Sequence, residues 1–220
     1  MIKYQKDRKN CRDVFNAFLY ENAIYAGKHE IPCLLRAKEV PKKLIPFSKT
    51  MSAKSFDAWV HFYEDDYLFE RFWRNPRRYL ELLRKFEGVI LPDFSVFRDM
   101  PLNEQVNRIS RSRAIGHWLQ VNGIRVIPNI RFGDERTFDV CCDGIQQGGV
   151  IAIGTHGTIK RVEDRRIFVR GLEYIARKLN PEVIVVYGKA PDTIFGKYSE
   201  KGIRIVSFDS SFASANKEVK

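Results

Sequence analysis

The chain has 220 residues and a formal charge of +11, with 44% hydrophobic and 13% aromatic residues. That length buries a sizeable core and fits one α/β domain with an N-terminal extension. There is no run of eighteen apolar residues and the first residues are polar, so the expectation is a cytoplasmic protein with no membrane span and no secretory signal.

The basic excess is uneven. Residues 1–50 carry 11 basic against 5 acidic residues and residues 151–220 carry 13 against 8, while the hundred residues between them are balanced. Basic ends suit an anionic partner, most commonly nucleic acid, because neutralising phosphates releases counterions. A solvated surface is the other reading of the same count. The four cysteines, Cys11, Cys33, Cys141 and Cys142, lack zinc-knuckle spacing, and the adjacent pair is poorly placed to bridge. Reduced thiols are expected.

Residues 1–10 read as a charged tail, and Val14, Phe15, Phe18, Leu19 and Ala23 recur at helical spacing, predicting an amphipathic helix from Cys11 to Ala26. Pro32, Pro41 and Pro46 make 31–54 an irregular basic arm leading to the sheet. The expected organisation is therefore this arm over 1–54, an α/β core over 55–208 and a tail over 209–220. Ala58–Tyr63 reads as an aromatic-rich strand that ends at the acidic cluster Glu64-Asp65-Asp66. Tyr67–Phe86 has helical spacing split at Pro76, and a longer helix runs from Asn103 to Gln120. A short helix over Thr137–Cys142 and a long one from Arg161 to Leu179 follow. The long helix buries Phe168, Leu172, Ile175 and Leu179, and stops at Asn180-Pro181.

Between these helices lie apolar runs that each stop at a polar or glycine-rich corner: Gly88–Asp93, Ile124–Asn129, Val150–Gly154, Val183–Gly188 and Ile203–Val206. Continuous apolar strands alternating with helices predict a parallel sheet covered on both faces. With about six strands visible, the sheet is either an incomplete or distorted (β/α) barrel or an open doubly wound sheet. Both architectures bind ligands at the carboxyl ends of their strands. Asp93, Asn129, Arg131, Thr155, His156 and Tyr187 are thereby placed on one rim.

Three corners carry candidate chemistry. Gly154-Thr155-His156-Gly157-Thr158-Ile159-Lys160-Arg161 joins a buried strand to a helix, and its glycines, Thr155, Thr158 and Lys160 form a workable phosphate cradle, with His156 as an acid, base or ligand. It lacks the Walker and three-glycine dinucleotide patterns, and a tight turn with Thr158 as helix N-cap explains it too. Asp93, Asp134 and Asp139 at neighbouring strand ends are suited to Mg²⁺ or acid–base work, or equally to salt-bridged loops. Arg108 and Arg111, joined by Arg165, Arg166 and Arg170, form either a nucleic-acid face or two solvated helix surfaces. The crowded aromatic residues Trp59 to Trp73 are assigned mainly to the core rather than to base stacking.

The sequence Gly88-Val-Ile-Leu-Pro-Asp-Phe-Ser-Val-Phe-Arg-Asp-Met-Pro, followed by Arg113-Ala-Ile-Gly-His-Trp-Leu-Gln, Val126-Ile-Pro-Asn-Ile-Arg-Phe-Gly-Asp, Cys142-Asp-Gly-Ile, Val150-Ile-Ala-Ile-Gly-Thr-His-Gly and Val185-Val-Tyr-Gly, resembles an uncharacterised family, DUF4417. The resemblance spans roughly residues 30 to 208. It implies a phage or mobile-element protein acting in a bacterial host, and supplies no catalytic residues. Three functions are then expected. The first is binding of nucleic acid or a phosphate-bearing ligand at the rim, through Asn129, Arg131, Thr155, Gly157, Thr158, Lys160 and Tyr187. The second is metal-assisted hydrolysis or phosphoryl transfer by Asp93, Asp134 and His156. The third is binding of a host protein without catalysis.

Overall fold

The apolar runs become short parallel strands in a computed structural model that describes Asp13 and residues 15–210. A small antiparallel hairpin, β1 (Tyr25–Ala26) and β2 (Ile31–Pro32), comes first. Next come β3 (Leu44–Pro46), β4 (Trp59–His61), β5 (Gly88–Ile90) and β6 (Val126–Ile127), paired in that order and all parallel. The last three, β7 (Val150–Gly154), β8 (Val183–Tyr187) and β9 (Arg204–Phe208), form a second parallel group. A parallel bridge between Asn129 and Ala152 joins the groups. Beside it, Ile130 N–H donates to Ala152 O at 2.8 Å and Ala152 N–H to Pro128 O at 2.9 Å.

The seven strands from β3 to β9 thus lie in chain order. A doubly wound sheet would reverse its order at a switch point, whereas consecutive parallel strands are the winding of a (β/α) barrel. The sheet also curls. Tyr63, just past β4, stacks on Tyr187 at the end of β8 with ring centroids 4.6 Å apart. Four strand spacings in a flat sheet would separate those strands by about 19 Å. Among the described residues no backbone pairing joins β3 to β9, so the barrel is incomplete.

Three apolar clusters follow from this shape. Trp59, Ile90, Ile127, Ala152 and Val185 point inward and meet in one interior core. Alternate residues point outward, Val60 and Val89 into a cluster with Phe47, Phe62 and Phe72, and Ile151, Ile153, Ile184 and Val186 into a cluster with Phe168, Leu172 and Phe195. Burial on both faces is why these strands read as continuous apolar runs.

The helices are α1 (Asp66–Arg74), α2 (Leu80–Leu83), α3 (Leu102–Val121), α4 (Phe138–Cys142), α5 (Val162–Leu179) and α6 (Asp192–Ser199). Pro76 does split the expected 67–86 helix, opening a 3-10 turn over Pro76–Tyr79 between α1 and α2. α5 buries the four residues expected of it. α3 lies under the hairpin strand β2 and the 3-10 turn Ala17–Tyr20, and so buries Gln105, Ser112 and Arg113 alongside its apolar residues. No helix among the described residues is long and apolar enough to cross a membrane.

Local structure departs from expectation at three places. The helix expected over Cys11–Ala26 lies partly outside the described residues. Its described part is a 3-10 turn, Ala17–Tyr20, followed by β1, and Asn16 and Asn22 adopt left-handed backbone on either side of the turn. β3 arises within the stretch read as irregular, where Pro46 occupies a strand end that tolerates a missing donor. The N-cap of α5 is Arg161, three residues beyond Thr158.

Candidate functional site at the barrel mouth

Four of the strand-end residues come together. Asn129, beyond β6, donates from Nδ2 to Asp93 Oδ1 at 2.7 Å and accepts the Tyr63 hydroxyl on Oδ1 at 2.9 Å. Arg131 Nη1 stands 3.8 Å from Asp93 Oδ2. Burial pushes the Asp93 carboxyl above its ordinary value, while Arg131 and the Asn129 hydrogen bond pull it back. The site therefore holds a buried carboxyl group beside a cation.

An aromatic group flanks this network. Tyr187 stacks on Tyr63 and has the His61 ring 4.7 Å away. Burial pushes His61 down to about 3, so its imidazole is neutral. Its Nδ1 accepts the Tyr63 backbone N–H at 3.2 Å, which leaves the proton on Nε2. Gly154 at the end of β7 packs closely here, since a Cβ would stand 3.1 Å from the Tyr63 ring and the ring would have to shift slightly.

Beside the network opens a cavity of about 690 Å³. Arg98, Arg131, Arg161 and His156 line it, together with the turn Gly157-Thr158, and Phe97, Phe132 and Phe168 supply apolar surface. Gly157 has φ +81°, a conformation a side chain would strain. Asp99 and Asp164 also line the cavity, and Arg98 is engaged with Glu163 at 3.0 Å and Asp164 at 3.9 Å. Asp93 and Asn129 do not line it; Arg131 is the residue common to network and cavity.

The remaining expected residues have other surroundings. Thr155 is buried, with Oγ1 donating to Lys189 O at 2.8 Å, and Thr158 Oγ1 donates to Gly154 O at 3.3 Å. Lys160 is exposed and is not among the cavity residues. α5 starts at Val162, close to its expected start at Arg161, and its first turn carries Glu163 and Asp164. Asp134 caps the 3-10 turn Glu135–Thr137 and pairs with Arg136 at 2.8 Å, which holds its carboxyl below the ordinary value. Asp139 is engaged with Tyr174. Among the described residues no three His, Cys, Asp or Glu side chains are grouped closely enough to hold a metal.

The expected strip formed by Arg108 and Arg111 is turned inward. Arg108 pairs with Asp66 at 3.0 Å, and Arg111 with Glu70 at 3.0 Å while stacking on Trp73 and Phe94. On α5, Arg165 and Arg166 are exposed, Arg165 donating to Thr193 and Arg170 pairing with Glu135. The two sets do not form a continuous exposed face. His61 and Tyr63 are site residues the sequence reading assigned only to a strand. Their signal was the one used for Asp93, a polar residue at the carboxyl end of an apolar run.

The sequence profile of DUF4417, a domain of unknown function, matches residues 23–209. The chain belongs to the DUF4417 family. Its relatives include the Gene 1 protein of Mycobacterium phage D29, 35% identical over 168 residues that make up 74% of this chain and 62% of that protein. The Gene 1 protein of Mycobacterium phage L5 is 34% identical over 168 residues, 74% of this chain and 73% of that protein. The match to the D29 protein thus spans less than two thirds of its length. No solved structure matches the chain.

Proposed function

We propose that this DUF4417 protein is a phage-encoded cytoplasmic protein that binds a phosphate-bearing ligand of nucleotide size at the barrel mouth. One observation carries the reading: three arginines, a histidine and a positive-φ glycine turn share a single cavity with three phenylalanines. Guanidinium groups and turn amides suit phosphate oxygens, and aromatic surface suits a base or sugar. A volume of about 690 Å³ lies within the range of small-molecule sites, roughly 300–1,000 Å³. The mouth is also where (β/α) barrels keep their ligands.

A nucleotide-sized ligand is preferred over a nucleic-acid duplex because Arg108 and Arg111 are engaged internally with carboxylates. Calorimetric titration of the full chain with inorganic phosphate, nucleoside mono-, di- and triphosphates and short oligonucleotides tests this. Binding of a nucleoside phosphate that weakens at least about tenfold in Arg161→Ala is expected, the loss of one charge-assisted contact. Absence of binding by any phosphate compound at low salt sinks the proposal, and tight binding of oligonucleotides alone replaces it with nucleic-acid recognition.

A second reading, hydrolysis of the bound ligand, is favoured by His156, which lines the cavity together with Arg131 and Arg161. In that reading His156 is the general acid or base, and Asp93, which does not line the cavity, orients Arg131. His156→Gln would abolish turnover and preserve binding.

A further inference from the structure

Beside the mouth lies a second, small and partly open cavity of about 10 Å³, the space of one water or one small ion. Arg108, Arg113 and Arg131 all line it, with Asn129, Ser112 and Ile109. Each of the three arginines has a buried Nε–H with no hydrogen-bond partner. Buried donors are ordinarily satisfied, so three in one small cavity call for an acceptor.

The charge balance points the same way. Arg113 is only 1% exposed, and its terminal nitrogens donate to two backbone carbonyls, Asn129 O at 3.1 Å and Cys141 O at 2.7 Å. No carboxylate pairs with it among the described residues. Arg108 has Asp66 at 3.0 Å and Arg131 has Asp93 at 3.8 Å. Arg113 is therefore the buried guanidinium without a carboxylate, the other two side chains being 26% and 21% exposed, and an unbalanced buried charge is costly.

A water molecule would satisfy these donors without supplying charge, and Asn129 Oδ1 and Pro92 O each already accept one hydrogen bond, from Tyr63 and Ser112. A monatomic anion accepts from several donors, needs no acceptor and supplies the missing charge. We propose that this cavity is a halide-class anion site, filled by chloride, that neutralises the arginine cluster linking α3 to the strand ends. The ion occupies a space distinct from the mouth cavity, with Arg131 lining both, and the position of the bromide peak tells the two apart.

The test uses the full chain purified without chloride. Its melting temperature is followed against sodium chloride and sodium bromide, with sodium gluconate at equal ionic strength as the reference. A saturable, halide-specific rise is expected. Bromide-soaked crystals should show an anomalous peak among Arg108, Arg113 and Arg131. Ile109→Phe, which adds apolar volume at the cavity wall and removes no donor, should lose the halide response. A melting temperature indifferent to anion identity, water alone in the cavity of bromide-soaked crystals, or a folded Ile109→Phe protein that keeps the full halide response would each overturn the proposal.

Discussion

Helices α3 and α5 carry similar rows of arginines, and the fold treats them in opposite ways. α5 has one apolar stripe, Phe168, Leu172, Ile175 and Leu179, and leaves Arg165, Arg166 and Arg170 exposed. α3 is covered on more than one side, so Arg108, Arg111 and Arg113 are drawn among carboxylates, rings and carbonyls. A charge row marks a surface only where its helix has a single buried face. In α3 the same residue type ties the helix to α1 and to the strand ends.

This contrast can be broken by substitution, and the largest effect belongs to Arg113. Arg113→Met removes the donors to Asn129 O and Cys141 O, and should cost about 1–3 kcal/mol in chemical denaturation for each buried carbonyl left unsatisfied. An unchanged denaturation midpoint would show that the buried guanidinium contributes nothing. Arg111→Ala comes next, losing the Glu70 pair and the stacking on Trp73 and Phe94, at about 2 kcal/mol.

His61 sharpens the comparison at the mouth itself. Its folded value is about 3 against an ordinary 6.5, so the unfolded chain takes up the proton first as the pH drops. Its contribution is fully present above about pH 6.5 and is lost progressively toward pH 3. His61→Asn, which keeps an acceptor for the Tyr63 N–H, should be less acid-sensitive than the parent across that window in paired melting curves. Parallel curves would remove the buried neutral imidazole from the account. The smallest effect is expected for Arg166→Ala on exposed α5, which should leave the melting temperature where it is.

The strand ends were legible in the sequence because each apolar run stops at a polar residue, and Asp93, Asn129 and Arg131 do meet. The register of contacts between distant strands was not. Nothing local in Tyr63 or Tyr187 says that the sheet curls until their rings stack. Likewise, the charge pattern of Arg108 and Arg111 is silent about Asp66 and Glu70, which lie some forty residues earlier and reach them only through packing of α1 on α3. The short strand β3 escaped because its three residues include a proline. Arg161 was expected at the start of the long helix, and it is the N-cap of α5, three residues after Thr158; that it lines the cavity was not legible in the sequence.

The most direct test of ligand binding at the mouth is a crystal structure of the chain with the nucleoside phosphate that binds it best. The phosphate is predicted to lie beside Gly157, within hydrogen-bond distance of Arg131 and Arg161, with the base against the phenylalanines of the same cavity. Phosphate bound instead on the outer arginines of α5, with the mouth cavity containing solvent alone, would contradict the account.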